Sequence, residues 1–322
     1  MRLSRRSTLA FAVACTLASS AFAQAWPAKP IRLIVPFPAG GGTDIIAREV
    51  ASKVTTLGYT FIVDNRPGSG GNLGVDAAAK SPADGYTIVL GQTSNLAINP
   101  TLYSKLPYDP VKDLTPVSMV ASAPLVIVVA ADSPLKTLAD VVAASRANPG
   151  VLNYATSGNG TVAHLATESF QKAANVKLTH VPYKGAAQGA TDLIGGQVQL
   201  YVSSIPTLIG HIKNGKMRAI AVTSAKRADD LPQVPTIAES GYKGFEAVTW
   251  FGIVGPANLP RDILAKLNAD INKALLTPDL QKKLGDQGAD VAGSTPEQFS
   301  KLIRDDIGRW GRIVKESGAK VD

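Results

Sequence analysis

Short apolar runs of strand length alternate along the chain with longer stretches in which apolar residues recur three or four positions apart. Ile31 to Val35, Phe61 to Asp64 and Thr87 to Leu90 read as strands, with helices over Thr43 to Leu57 and Leu73 to Lys80 between them. In the first of these helices Ile46, Val50, Val54 and Leu57 form one apolar stripe that a sheet would cover, and Gly58 ends it. A second series follows the apolar segment Leu125 to Ala130. Its strands are Leu152 to Ala155, Lys177 to Val181, Gln199 to Val202 and Arg218 to Val222, and its helices lie near Thr161 to Ala174, Ala186 to Ile194 and Pro206 to Asn214. The chain after Trp250 reads as mainly helical. Pro260 suits a first helical turn, and Phe299, Leu302, Ile303, Trp310, Ile313 and Val314 share one face of a terminal helix.

Two alternating series predict an α/β protein of two βαβ lobes, with the helical C-terminus returning to the first. Crossings are expected near Met119 to Leu125 and near Ala247 to Val254, a two-strand hinge. The expected division is residues 24–121 plus 250–322 for one lobe and residues 122–249 for the other.

A length of 322 residues, 45% hydrophobic and 18% charged, suits two folded lobes and excludes a disordered or collagenous chain. The N-terminus changes the picture. Arg2, Arg5 and Arg6 precede an apolar run from Leu9 to Leu17 that is too short to span a bilayer, and Ala21-Phe22-Ala23 offers a small-x-small cleavage site. Residues 1–23 therefore read as a signal peptide cut after Ala23 for export to the periplasm. The formal charge of +8 loses those three arginines, leaving a mildly basic mature protein. Cys15, the one cysteine, leaves with the signal, so disulfides, a cysteine nucleophile and thiolate metal sites are excluded.

Candidate chemistry concentrates where strands run into helices. Val35-Pro36-Phe37-Pro38-Ala39-Gly40-Gly41-Gly42-Thr43-Asp44 places three glycines before a helix start, where unpaired N–H groups and the helix dipole favour an anion, with Thr43 as the expected cap. Tyr154-Ala155-Thr156-Ser157-Gly158-Asn159-Gly160-Thr161 repeats the device in the second series, and His164 lies one turn further along the same helix. His164 reads equally well as reaching the cleft or as pairing with Glu168. Val181-Pro182-Tyr183-Lys184-Gly185 is a third loop at a strand's carboxyl end, the edge where open α/β sheets bind ligands. Gln92-Thr93-Ser94 and Ser203-Ser204 hold the same position after two further strands, while Asp192 reads as a solvent-facing helical residue.

Other chemistries find less in the chain. Gly158-x-Gly160-x-x-Ala163 fits a loose dinucleotide fingerprint, but Thr179 to Lys184 lacks the acid that would hold a ribose. No nucleophile elbow, Walker loop or zinc-protease motif occurs, and a hydrolase of Ser157, His164 and Asp192 has nothing fixing its geometry. Basic residues are dispersed without interleaved aromatics, which argues against nucleic acid.

Trp26-Pro27-x-Lys29-Pro30-Ile31-Arg32, the Pro36 to Asp44 segment, Val63-Asp64-Asn65-Arg66-Pro67-Gly68, Pro82-Ala83-Asp84-Gly85-Tyr86-Thr87 and the Ser157 to Thr161 and Val181 to Gly185 motifs together resemble the Bug family. These are extracytoplasmic solute-binding proteins of tripartite tricarboxylate transporters. The resemblance implies a two-lobe periplasmic binding fold of type II-like plan, no catalysis, no cofactor and no metal. It implies a receptor that closes on a small carboxylate and delivers it to membrane permease subunits, and the protein is expected to be a monomer; an exported sensor for a membrane kinase would use the same site. By that resemblance and the loop positions, the expected ligand contacts are Phe37, Ala39, Gly41, Gly42, Thr43 and Asp44 in the first loop, and Thr156, Ser157, Gly158, Gly160, Thr161 and His164 in the second. Thr93, Ser94, Tyr183 and Ser203 complete the set, with Phe37, Tyr183 and Trp250 as aromatic candidates for specificity.

Overall fold

The computed structural model describes residues 26–319 and 321. The expected signal segment, its cleavage after Ala23 and Cys15 lie outside these residues. The first series is β1 (Ile31–Val35), α1 (Gly42–Thr55), β2 (Phe61–Asn65), α2 (Asn72–Ala79) and β3 (Thr87–Gln92), followed by a π-helical turn at Ser94–Ile98 and the short α3 (Asn99–Leu102). Then come β4 (Leu114–Ala130), α4 (Leu138–Ala147), β5 (Asn153–Thr156), α5 (Val162–Ala174), β6 (Thr179–Pro182), α6 (Ala186–Ile194), β7 (Leu200–Ser204), α7 (Ile205–Lys213) and β8 (Met217–Val222). The chain ends with β9 (Val248–Pro256), α8 (Arg261–Leu275), α9 (Pro278–Gly285), β10 (Asp290–Val291) and α10 (Pro296–Ser317).

The strands follow the order β2-β1-β3-β9-β4-β7-β5-β6, with β8 and β10 also paired to β4. β1 is parallel to β2 and β3, and β5 is parallel to β6 and β7, so each lobe has the parallel βαβ plan that the alternation predicts. The lobes are joined by one continuous strand. Over Leu114 to Pro124, β4 pairs with β9, and from Leu125 onward its partners are β7 and β8. Thr223, just past β8, ties the two crossings together: its Oγ1 accepts from the Leu125 N–H at 2.9 Å and donates to the Ala247 carbonyl at 2.6 Å.

The stripe on α1 packs as its spacing predicts, with Ile46, Val50 and Val54 buried against Ile31, Leu33 and Val35. At about 1.5–3 kcal/mol for each fully buried side chain of this size, three such residues suffice to seat the helix. Leu267 and Ile271 of α8 close the same core. A second core links the lobes, because Phe299 and Trp310 of α10 and Leu96 of the π-turn join one apolar cluster with Val162, Leu165 and Phe170 of α5. α10 thus touches both lobes, beyond the covering of the first lobe that the sequence suggests.

Three local readings change. The strand expected from Leu125 begins at Leu114, because Pro116 and register shifts beside Pro116 and Met119 break its alternation. α4 adds a helix, opened by a capping box of Thr137 and Asp140. Pro260 is the N-cap of α8, whose first turn starts at Arg261.

Candidate functional site

The loop between β1 and α1 is held from behind. Asp44, in the first turn of α1, accepts from the Gly40 N–H at 2.9 Å and from Asn65 Nδ2 at 2.9 Å, and it pairs with Arg48 at 2.9 Å. Asn65 Nδ2 also donates to the Phe37 carbonyl at 3.0 Å, so two side chains fold residues 37–40 over the helix start. Burial works to raise the Asp44 carboxyl, but the Arg48 hydrogen bond, the Gly40 and Asn65 donors and the Arg48 charge outweigh it and hold the group below the usual carboxylate range. Gly40 has φ +82°, a conformation that glycine adopts without strain. The cap expected at Thr43 is displaced: Gly41 is the N-cap, and the Thr43 hydroxyl points to Gln92 Oε1 at 3.4 Å.

The loop between β5 and α5 is built differently. Thr161 caps α5, its Oγ1 accepting the His164 N–H at 3.3 Å and donating to the Gly158 carbonyl at 3.0 Å. His164 Nδ1 accepts the Gly160 N–H at 3.2 Å, which requires an imidazole unprotonated at that nitrogen, and its Nε2 lies 4.0 Å from Glu168. The His164 ring stacks on His180 with centroids 4.1 Å apart, and His180 stacks on Tyr154 at 4.8 Å while contacting Thr156 Oγ1 at 2.7 Å. Burial pushes His180 down to about 3, with the neighbouring His164 adding to the shift. His164 is lowered by burial against the opposing pull of Glu168. Both rings are neutral at pH 7 and brace the loop from inside the lobe.

Between the two loops lies a narrow cavity of about 60 Å³. Gly41, Gly42 and Thr43 form one wall and Ser157, Thr161 and Ser203 face them, with Phe37 at the edge. A larger cavity of about 470 Å³ adjoins it, sharing Phe37, Pro38 and Ser157 and extending past Gly158 and Tyr183. Among the described residues, no side chain lining the narrow cavity is charged; its polar groups are hydroxyls, backbone and the Gln92 amide.

The structure places the remaining sequence candidates outside both linings. Ala39 is exposed. Asp44, Thr156, Gly160 and His164 stand behind the walls and shape them through the bonds given above. Thr93 Oγ1 accepts the Trp250 N–H at 2.9 Å, and Ser94 accepts from Gln92 Nε2 at 3.1 Å. Trp250 is core: its Nε1 donates to Asp306 at 2.6 Å and its ring meets Phe299 edge-on. Asp192 accepts the Tyr183 hydroxyl at 2.8 Å.

Gln92, Ser204, Thr207 and Thr249 line the narrow cavity as well. The first two occupy strand ends of the kind singled out in the sequence, and Thr207 follows in the first turn of α7. Thr249 carries no local signal; it arrives only because β9 runs beside β4.

The hydrolase arrangement is not assembled. Ser157 Oγ has the Tyr201 hydroxyl at 3.3 Å as its neighbour, while His164 and Asp192 are committed to Gly160 and Tyr183. Among the described residues, no group of three His, Cys, Asp or Glu side chains is placed to hold a metal.

The model of the tripartite tricarboxylate transporter family receptor matches residues 46–319. Protein BugT of Bordetella pertussis is 40% identical over 313 residues, covering 97% of this chain and 96% of BugT. Among solved structures, R. palustris Rpa4515 with adipate is 36% identical at a TM-score of 0.89, covering 92% of this chain and 100% of that one. MatC (Rpa3494) from Rhodopseudomonas palustris with bound malate is 30% identical at a TM-score of 0.84, covering 90% of this chain and 100% of that one. With its two-lobe fold, its paired strand-to-helix loops and these relationships, the chain belongs to the tripartite tricarboxylate transporter receptor family, a family of periplasmic solute-binding proteins rather than enzymes.

Proposed function

We propose that this receptor captures a small carboxylate in the narrow cavity, releases it to the membrane permease subunits of a tripartite tricarboxylate transporter, and works in the periplasm as a monomer after cleavage behind Ala23. The observation that carries the reading is the cavity's lining: fixed backbone at the α1 start and the hydroxyls of Thr43, Ser157, Thr161, Ser203, Ser204 and Thr207, with no charged side chain among them. Hydroxyl and amide donors held by the fold can bind a carboxylate through charge-assisted hydrogen bonds without a buried cation. The adipate and malate bound in the two R. palustris relatives are ligands of this chemical class.

Of the residues expected from sequence, Phe37, Gly41, Gly42, Thr43, Ser157, Thr161 and Ser203 are the ligand contacts in this reading, with Gly158 and Tyr183 at the outer cavity. Asp44, Thr156, Gly160 and His164 serve by holding the loops. The lobes, divided as residues 24–121 plus 250–322 and residues 122–249, close about the crossings at Leu125 and Ala247, and ligand stabilises the closed form because only that form presents both loops to it.

A thermal-shift screen of purified mature protein against dicarboxylates, tricarboxylates, acidic amino acids and aromatic acids tests the reading. Saturable stabilisation with every compound recovered intact supports it. A protein that no carboxylate stabilises, or one that consumes a carboxylate or its ester with activity lost in Ser157→Ala, overturns it. Light scattering of the eluted protein reports the monomer, and N-terminal sequencing of the periplasmic form reports the cut.

A further inference from the structure

The inner cavity is far smaller than its neighbour, about 60 Å³ against about 470 Å³, and the two adjoin at Phe37, Pro38 and Ser157. The adjoining cavity gives room for the rest of a ligand whose head group sits in the inner one. That outer space is enclosed by the Pro67 to Gly71 turn on one side and by Tyr183 and Lys184 on the other. Among the described residues, Lys184 is the one charged side chain lining the two cavities. It is exposed, and it has no hydrogen bond or ion pair among the described residues. Asp192, on the helix that follows this loop, accepts the Tyr183 hydroxyl at 2.8 Å.

The geometry points to Lys184 as a second anion subsite: we propose that the protein selects extended dianions, with one carboxylate among the hydroxyls of the inner cavity and a second anionic group at the Lys184 ammonium. The proposal rests on the carboxylate reading above and adds to it a distal specificity residue. The inner cavity offers only neutral donors, so it does not distinguish a monoanion from one end of a dianion. Discrimination falls to the outer cavity, where an ammonium with no competing carboxylate is available. Ligands too short to reach from the inner wall past Phe37 to Lys184 gain nothing from it.

Calorimetric titration of wild type and Lys184→Gln with two homologous series, linear monocarboxylates and linear α,ω-dicarboxylates of increasing chain length, tests this. In wild type, dicarboxylates beyond a threshold length should bind about five- to tenfold tighter than monocarboxylates of equal length, an advantage that shrinks as salt is raised. In Lys184→Gln that advantage should vanish while monocarboxylate affinity stays unchanged. Equal affinity for both series in wild type, a preference that survives in Lys184→Gln, or a variant that loses both series alike each overturns the proposal. If monocarboxylates bind and dicarboxylates do not exceed them, this inference alone fails. If neither series binds, the carboxylate reading fails with it.

Discussion

The backbone N–H of Gly42 donates across the cavity to Thr207 Oγ1 at 3.0 Å, joining the first residue of α1 to the first turn of α7. That N–H is one of the donors a helix leaves unpaired at its start. Ser204 Oγ stands 3.0 Å from the same Thr207 hydroxyl, so the two lobes meet through a short hydroxyl chain beside the cavity. A Cβ on Gly42 would lie 2.7 Å from Ser204 Oγ and 3.2 Å from Thr207 Oγ1. Glycine is required here by the close approach of the opposite wall, since Gly42 is helical and has no positive φ.

Gly42→Val should therefore prevent the walls from meeting. We expect a loss of about 1–3 kcal/mol in carboxylate affinity, the range for overpacking a tight site, against about 1 kcal/mol or less for Lys184→Ala at an exposed position. Calorimetry on both variants, each shown folded by circular dichroism, checks the order. A Lys184→Ala protein that binds nothing beside a Gly42→Val protein that binds normally would move the site to a side-chain ion pair.

Thr207→Val keeps the side-chain shape and removes the hydroxyl that accepts from the Gly42 N–H and pairs with Ser204 Oγ. The Gly42 N–H then loses its partner, which costs the closed form about 1 kcal/mol. Small-angle scattering should show a larger radius of gyration for the ligand-free variant than for ligand-free wild type, with saturating ligand restoring the smaller value. Identical ligand-free radii would mean that the hydroxyl clasp does not bias closure.

Asp44→Asn leaves the Gly40 and Asn65 donors short of a carboxylate and Arg48 without its ion pair. A stability loss of about 1–3 kcal/mol is expected by denaturant unfolding at neutral pH. The folded Asp44 carboxyl sits below its unfolded value, so its contribution is present above the unfolded pKa and disappears as pH falls through the lower folded one. The gap between wild type and variant should narrow in that acidic window and stay constant above it.

His180 gives the opposite group and a wider window. Its folded pKa of about 3 lies below the ordinary histidine value of 6.5, so between those limits the unfolded chain binds a proton that the native protein refuses. Stability should fall as pH drops from 6.5 toward 3, by up to about 1.4 kcal/mol for each pH unit from this group. His180→Phe preserves the stack between Tyr154 and His164 and has nothing to protonate. Its melting temperature should show a shallower slope over that range, and an unchanged slope would assign the acid sensitivity elsewhere.

Residue spacing alone determined the α/β alternation, the apolar stripe on α1, the amphipathic face of α10 and the two glycine-rich turns into helices, because each is a property of consecutive residues and their period. The family motifs are local in the same sense. Tertiary structure decided what each turn faces. Asp44 and His164 sit in the right loops, yet they point behind the walls, since a helical period states which residues share a face and not which lobe that face meets. Gln92, Thr207 and Thr249 reach one cavity from three separate segments, and Lys184 opens onto the space beside it; such convergence follows from strand order, with β9 laid against β4 and β7 across from β1's loop. The long strand from Leu114 was hidden for the same reason, because its proline and register shifts disrupt the local pattern that pairing with β9 restores.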